Sequence, residues 1–240
     1  DKFNPIGVPT DPNNAWANGS ATTFANPFPH VAGATGIDYC YTQPDKGVFV
    51  GFHQWQYQDY GPYTPIHGKT TDNGVTWNAL PTVPTENLYI DWAKVTKSIK
   101  ATGGMIAMSP TDANRMVWVP NGGVWPHYTT DGGSTWQLCY NLSRGAQPSP
   151  FDPNNMDHTH YDKLPRGWNL QISPWLTSAT LAADRADTTG KAFYFYTGLD
   201  FYYSTDGGAN WTASGSNSVL PKWVTRATVA PNPLTKGDVW

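Results

Sequence analysis

Asp152, Asn154, Asp157, His158, His160 and Asp162 crowd one short stretch of this 240-residue chain. Oxygen donors at such close spacing suit calcium. His158 and His160 alternate, so a strand would set both on one face, which suits a transition metal. A histidine there with Tyr161 could also work as base and acid in a lyase, taking the proton beside the carboxylate of an acidic sugar. The bland alternative is a polar surface loop of turn residues, since no fixed metal-loop signature is matched. The sequence therefore demands no cofactor. Calcium is the candidate cofactor, and Asp152, Asp157, His158 and His160 are the candidate ligands for a metal of either kind.

Asp38 and Asp184 follow apolar runs and could face a central channel as catalytic carboxylates. An aspartate at a strand end more often caps a turn. Aromatic side chains form the third group. Trp55, Tyr57, Tyr60, Tyr63, Trp125, Trp168 and Trp175 fall in segments read as loops or beside turns, in a chain with twelve Trp. The apolar faces of sugar rings stack on such side chains. Packing of the loops onto the protein body is the competing reading. Trp55, Tyr57, Tyr60, Trp125, Trp168 and Trp175 are the candidate substrate contacts.

A repeated pattern, Ser/Thr-x-Asp-x-Gly-x-x-Trp, must position these groups. It occurs at Thr70–Trp77, Thr129–Trp136 and Ser204–Trp211. The hydroxyl and carboxylate lock a tight turn by bonding nearby amides. The glycine supplies a backbone angle other residues resist, and the tryptophan anchors the turn. Asp72, Asp131 and Asp206 are thus turn locks, with Gly74, Gly133 and Gly208 and with Trp77, Trp136 and Trp211 as their partners. Trp118 joins the box tryptophans in the core. The box aspartates stand 59 and 75 residues apart. A minimal propeller blade takes roughly 40–50 residues, so the surplus is inserted loop. Around each box the pattern reads strand, turn, strand, connection, strand, box, strand.

This predicts an all-β fold, a β-propeller of four-stranded antiparallel blades. The blades span about 35–102, 103–178 and 179–220, with a partial one over 221–240, and residues 1–34 are a lead-in or the end of a preceding blade. Three blades and part of a fourth do not close a ring. The expectation is a piece of a larger propeller, completed by further blades of the same chain or by another copy. Within the insertion 78–102, Asp91–Lys100 reads as one or two helical turns.

Composition narrows the function classes. A net charge of −3 and the lack of basic runs exclude a nucleic-acid partner. No run of apolar residues has the length of a membrane span. Cys40 and Cys139, the only cysteines, can make one disulfide or none. Sequons at Asn18, Asn141 and Asn210 fit a secreted, extracellular glycoprotein, although such triplets also arise by chance.

The box resembles the Asp-box, or BNR repeat, of sialidases, xyloglucanases and sortilin-like receptors. The ordered set Thr35–Tyr39, Gly103–Ser109, Met116–Pro120, Ala183–Arg185, Phe193–Tyr194, Tyr203–Gly208 and Gly237–Trp240 resembles the second propeller of family 74 glycoside hydrolases. That resemblance implies two seven-bladed propellers with a cleft between them. It also implies inverting hydrolysis of a β-1,4-glucan by two aspartates, one from each propeller. One acid protonates the leaving oxygen and the other activates water, roughly 6.5–9.5 Å away. The family's Gly-Asp-x-Gly-Gly-Phe-like catalytic segment has no counterpart in residues 1–34. The expected function is therefore part of a xyloglucanase-like hydrolase with its catalytic acids elsewhere. A non-catalytic propeller that binds glycan or scaffolds an assembly is the alternative. The partner is a polysaccharide or oligosaccharide.

Overall fold

Valine, isoleucine and aromatic residues alternate through short runs, a pattern that favours pleated, packed strands. In the computed structural model these runs form three antiparallel sheets. Residues 33–52, 67–90, 95–121, 124–139, 180–196, 201–214 and 227–240 are described. The first sheet comprises Gly33–Cys40 (β1), Gln43–Phe52 (β2), His67–Thr70 (β3) and Asn78–Ala79 (β4), in that spatial order. Thr85–Ile90 (β5) and Val95–Lys100 (β6) form a separate two-stranded ribbon. The second sheet comprises Thr102–Met108 (β7), Met116–Asn121 (β8), His127–Thr129 (β9) and Gln137–Leu138 (β10). The third comprises Leu181–Ala183 (β11), Phe193–Tyr196 (β12), Phe201–Ser204 (β13) and Thr212–Ala213 (β14). In each sheet the third and fourth strands flank a box, so the sheets are propeller blades.

The ribbon corrects one expectation. Residues 95–100 are strand, not helix, and pair in unbroken register from Thr85↔Lys100 to Ile90↔Val95. Val95, Thr96 and Ile99 are β-branched and favour the extended backbone.

Blade cores form at the seams between sheets. Val48 and Val50 point one way and Phe49 the other, as the two-residue period dictates. Cys40, Val48, Val50 and Leu80 meet Ile106, Met108, Met116 and Trp118 at the first seam. Met105, Ala107, Val117 and Val119, on the other face of the second sheet, meet Leu181, Ala183, Phe193, Phe195 and Trp211. Tyr194 and Tyr196 turn to Val229, where the fourth unit begins. Central strands buried on both faces explain the nearly continuous apolar sequence of Met116–Val119 and Phe193–Tyr196. Phe49 and Trp77 form a small cluster on the remaining face of the first sheet. Cys40 and Cys139 belong to different seams and are both buried free thiols.

The three boxes share one hydrogen-bond scheme. In the first, Thr70 Oγ1 donates to Asp72 Oδ1 at 2.8 Å and accepts from Gly74 N at 2.9 Å. Asp72 also accepts from Thr76 N at 2.8 Å and Thr76 Oγ1 at 2.6 Å. Thr129, Asp131, Gly133 and Thr135 repeat this scheme, as do Ser204, Asp206, Gly208 and Asn210. Gly208 has φ of 95°, and a Cβ there would stand 2.4 Å from Val117 of the neighbouring blade. Both angle and space require glycine at that position.

The box tryptophans are not equivalent. Trp77 and Trp211 donate their indole N–H to the carbonyls of Gly74 and Gly208 within their own turns. Trp136 is half-buried and donates instead to Thr82 O at 3.1 Å. The Gly133 carbonyl is already taken by Thr82 N and Thr82 Oγ1. The second box is thereby fastened to the segment leaving the first blade.

Candidate functional site

Strand direction gives the blades two unlike ends. The box turns share one end with the β1–β2, β7–β8 and β11–β12 turns. At the opposite end, Phe52 and His67, Leu80 and Ala101, Asn121 and Val124, and Cys139 and Thr180 terminate the described strands and their flanks. The long insertions meet the described strands at this second end, residues 53–66 within the first blade and residues 80–101 and 140–179 between blades. Of the candidate sugar contacts, Trp125 is described: it is half-buried at the insertion end, and its carbonyl lies 2.7 Å from His127 Nδ1. Trp55, Tyr57, Tyr60, Trp168 and Trp175 lie outside the described residues, as do Asp152, Asp157, His158, His160, Asn18 and Asn141.

His67, which sequence reasoning did not single out, organises the insertion end. Its Nδ1 accepts from Gly51 N at 3.2 Å, so Nε2 carries the proton and donates to Ala101 O at 3.2 Å. The ring meets Trp118 edge-on at 4.7 Å. One imidazole thus ties together the ends of β2 and β3 and the start of the second blade. Burial pushes its pKa down to about 3, against the raising effect of the Ala101 bond.

The strand-end aspartates lie at the box end. Asp38 Oδ2 accepts from Met108 N at 2.8 Å and Oδ1 from Tyr39 N at 2.9 Å. Desolvation raises its pKa, while the two amides and the nearby Arg185 charge lower it. Asp184 is fully buried. Its Oδ2 accepts from Tyr194 Oη at 2.8 Å and Gly237 N at 2.9 Å, and its Oδ1 from Ala186 N at 2.9 Å. Asp187 beside it takes five backbone and hydroxyl bonds from Thr189, Lys191 and Ala192, and a 2.8 Å ion pair from Lys236. Against burial, Lys236 and these donors hold Asp187 far below the ordinary carboxylate range.

These carboxylates accept from donors of their own or the next blade, and Asp184 and Asp187 are closed off from solvent. Asp184→Asn is expected to leave turnover per folded molecule unchanged while destabilising the seam by about 1–3 kcal/mol, because an amide has one acceptor oxygen and its NH2 must face either the Ala186 N–H or the Tyr194 and Gly237 donors. Steady-state rates and denaturant titrations on the intact protein check both halves. A loss of turnover beyond tenfold with stability intact would restore Asp184 as a catalytic candidate.

Among the described residues, no group of three or more His, Cys, Asp or Glu could hold a metal. Asn210 is exposed, but its Nδ2 donates to Asp206 Oδ2 at 2.7 Å within the third box.

The BNR/Asp-box repeat family model matches residues 202–213, the third box. The xyloglucanase Xgh74A of Acetivibrio thermocellus is 32% identical over 138 residues, covering 58% of this chain and 12% of that protein. The chain thus spans about an eighth of the relative it matches. The family 74 xyloglucanase of Xanthomonas campestris superposes over 85% of this chain and 22% of its own, with a TM-score of 0.52 at 21% identity. A family 74 enzyme from Niastella koreensis superposes over 88% of this chain and 22% of its own, with a TM-score of 0.51 at 22% identity. The boxes, the blade topology and these likenesses agree: this chain is an Asp-box β-propeller segment similar to the xyloglucanases of glycoside hydrolase family 74.

Proposed function

We propose that this chain is part of a secreted, glycan-active β-propeller protein, a xyloglucanase-like hydrolase that cleaves β-glucan by general acid–base chemistry. The sequence similarity to Xgh74A carries this reading. The candidate acids Asp38 and Asp184 accept bonds from turns and seams, so in this reading the segment supplies a binding wall and the catalytic acids come from elsewhere in the protein. Trp125 and the aromatic insertions, with Trp55, Tyr57, Tyr60, Trp168 and Trp175, line that wall at the end away from the boxes.

Incubating the intact protein with xyloglucan and with unsubstituted β-1,4-glucans tests the proposal. Oligosaccharides with an inverted anomeric centre, followed by NMR, are the expected products. Replacing Trp55, Trp168 and Trp175 together with Ala is expected to weaken glucan binding about tenfold or more, since each aromatic contact contributes about 0.5–1.5 kcal/mol. Release of no oligosaccharide from any glucan would sink the hydrolase reading.

A second reading is favoured by the structural bonds that Asp38 and Asp184 accept: a non-catalytic propeller that binds glycan or scaffolds an assembly. It predicts glucan affinity, lost in the same triple variant, without any hydrolysis.

A further inference from the structure

The box end carries an exposed group that the proposed hydrolysis does not use. Tyr39 and Tyr41 are 39% and 54% exposed at the end of β1 and in the turn that follows. Arg185 reaches them from the β11–β12 turn of the third blade, with its guanidinium carbon 5.0 Å from the Tyr39 ring centroid and 5.9 Å from that of Tyr41. Register places the group beside the boxes. Tyr39 pairs with Gly47, which pairs with Thr70 of the first box, while Phe193, across from Ala183, pairs with Ser204 of the third.

Arg185 is oriented and exposed. Among the described residues no carboxylate pairs with it and no hydrogen-bond partner meets its side chain. Asp38, which feels the Arg185 charge, is turned toward the amides of Met108 and Tyr39. The tyrosine faces therefore hold a planar cation whose N–H edge is free. Such an edge matches an acceptor with two coplanar oxygens, and a carboxylate fits it in two parallel bonds. The open Tyr41 ring alongside offers a stacking surface for a saturated ring.

We propose that Arg185, Tyr39 and Tyr41 form a second, non-catalytic ligand site for a carboxylate-bearing sugar, such as one unit of a uronic-acid polymer. The carboxylate pairs with Arg185 and the sugar ring lies on Tyr41. The site faces away from the aromatic insertions, so it would anchor the protein on an acidic polysaccharide while the other end engages a neutral glucan.

Isothermal titration of the intact protein with a galacturonate oligosaccharide tests this, with its neutral galactose counterpart, sodium sulfate and an acidic peptide as parallel arms. The galacturonate oligomer is expected to bind, more weakly as salt rises, and the neutral oligomer not to bind. Arg185→Gln should weaken binding about tenfold or more, the loss expected for a charge-assisted bidentate contact. Arg185→Lys should recover only part of it, and Tyr41→Ala should weaken it with the charge retained. Binding and hydrolysis of neutral β-glucan should be unaffected by all three. Absence of galacturonate binding, equal binding by Arg185→Gln, or binding of sulfate or the peptide as tight as that of the sugar would overturn the proposal. None of these outcomes bears on the hydrolase reading.

Discussion

Trp118→Ala is expected to cost the propeller about 4 kcal/mol or more, the largest loss from any single side chain at the first seam. The indole is completely buried and packs among residues of both the first and second sheets. Truncating a buried tryptophan costs about 3–5 kcal/mol through lost transfer energy and the cavity left behind. Two further contacts go with it. The indole N–H donates to Gly103 O at 2.8 Å, and a buried carbonyl left unpaired costs about 1–3 kcal/mol more. The ring also stands edge-on to His67 at 4.7 Å and to Trp136 at 5.5 Å, so its removal loosens the second box and the root of β3 together. Trp118→Phe separates these causes: it fills part of the cavity and keeps an edge for the aromatic contacts, but leaves Gly103 unpaired. Its expected loss is about half that of Ala. Denaturant unfolding of the intact protein, followed at this propeller's transition, reads both variants. A loss below about 1 kcal/mol for Trp118→Ala would mean that the seam collapses around the gap, contrary to close packing at native density.

What the sequence revealed, and what it hid, follows the range of each interaction. The box is local: hydroxyl, carboxylate, glycine and anchor lie within eight positions, so Asp72, Asp131 and Asp206 were legible as turn locks from spacing alone. Strand alternation is equally local, and Val117 and Trp118 could be read as facing opposite seams. Asp38 and Asp184 were ambiguous because the amides that occupy them, on Met108 and Gly237, are 70 and 53 residues away. Trp136 looked like its two counterparts until Thr82 was seen to occupy the carbonyl it would otherwise use. The helical reading of Asp91–Lys100 failed for residues 95–100 because their pairing partner, β5, precedes them in a ribbon that no turn motif announces. His67 carried no motif at all. Its one sequence signal is a histidine three residues before a box threonine, at the first position of a strand. The candidate contacts Trp55, Tyr57, Tyr60, Trp168 and Trp175 lie outside the described residues, so their placement still rests on composition and on the strand ends that flank them.

Stability of this propeller is expected to fall as pH drops below about 6.5, with His67 as the principal cause. In the folded chain Nδ1 accepts the Gly51 N–H and Nε2–H donates to Ala101. A second proton would set an N–H against an N–H at Nδ1 and place a charge in an apolar seam beside Trp118. Burial therefore pushes the folded pKa from 6.5 to about 3. Between those values the unfolded chain binds a proton that the folded chain refuses, so acid favours unfolding. The contribution is complete above pH 6.5 and falls by about 1.4 kcal/mol per pH unit below it. The loss at pH 5 is about 2 kcal/mol from this residue alone. His127, also lowered by burial, adds in the same direction. Asp72, Asp131 and Asp206 have depressed folded pKa values, that of Asp131 at about 2. Their contribution is present above the ordinary carboxylate value and is lost only as pH falls below about 4, which steepens the acid limb. Asp38, with a raised pKa, opposes the trend weakly as it takes up its proton. His67→Gln isolates the histidine. Its amide can accept from Gly51 and donate to Ala101 but does not titrate, so the variant is expected to lose some stability at pH 7 and to respond less steeply between pH 6.5 and 4. Urea midpoints of the intact protein across that range decide the matter. A wild-type midpoint level from pH 7 to 5, or an undiminished slope in His67→Gln, would remove His67 as the source. Because His67 closes β2 and β3 where an aromatic insertion joins the blade, the acid loss begins at the end proposed to bind glucan, and glucan affinity should decline before the blades unfold.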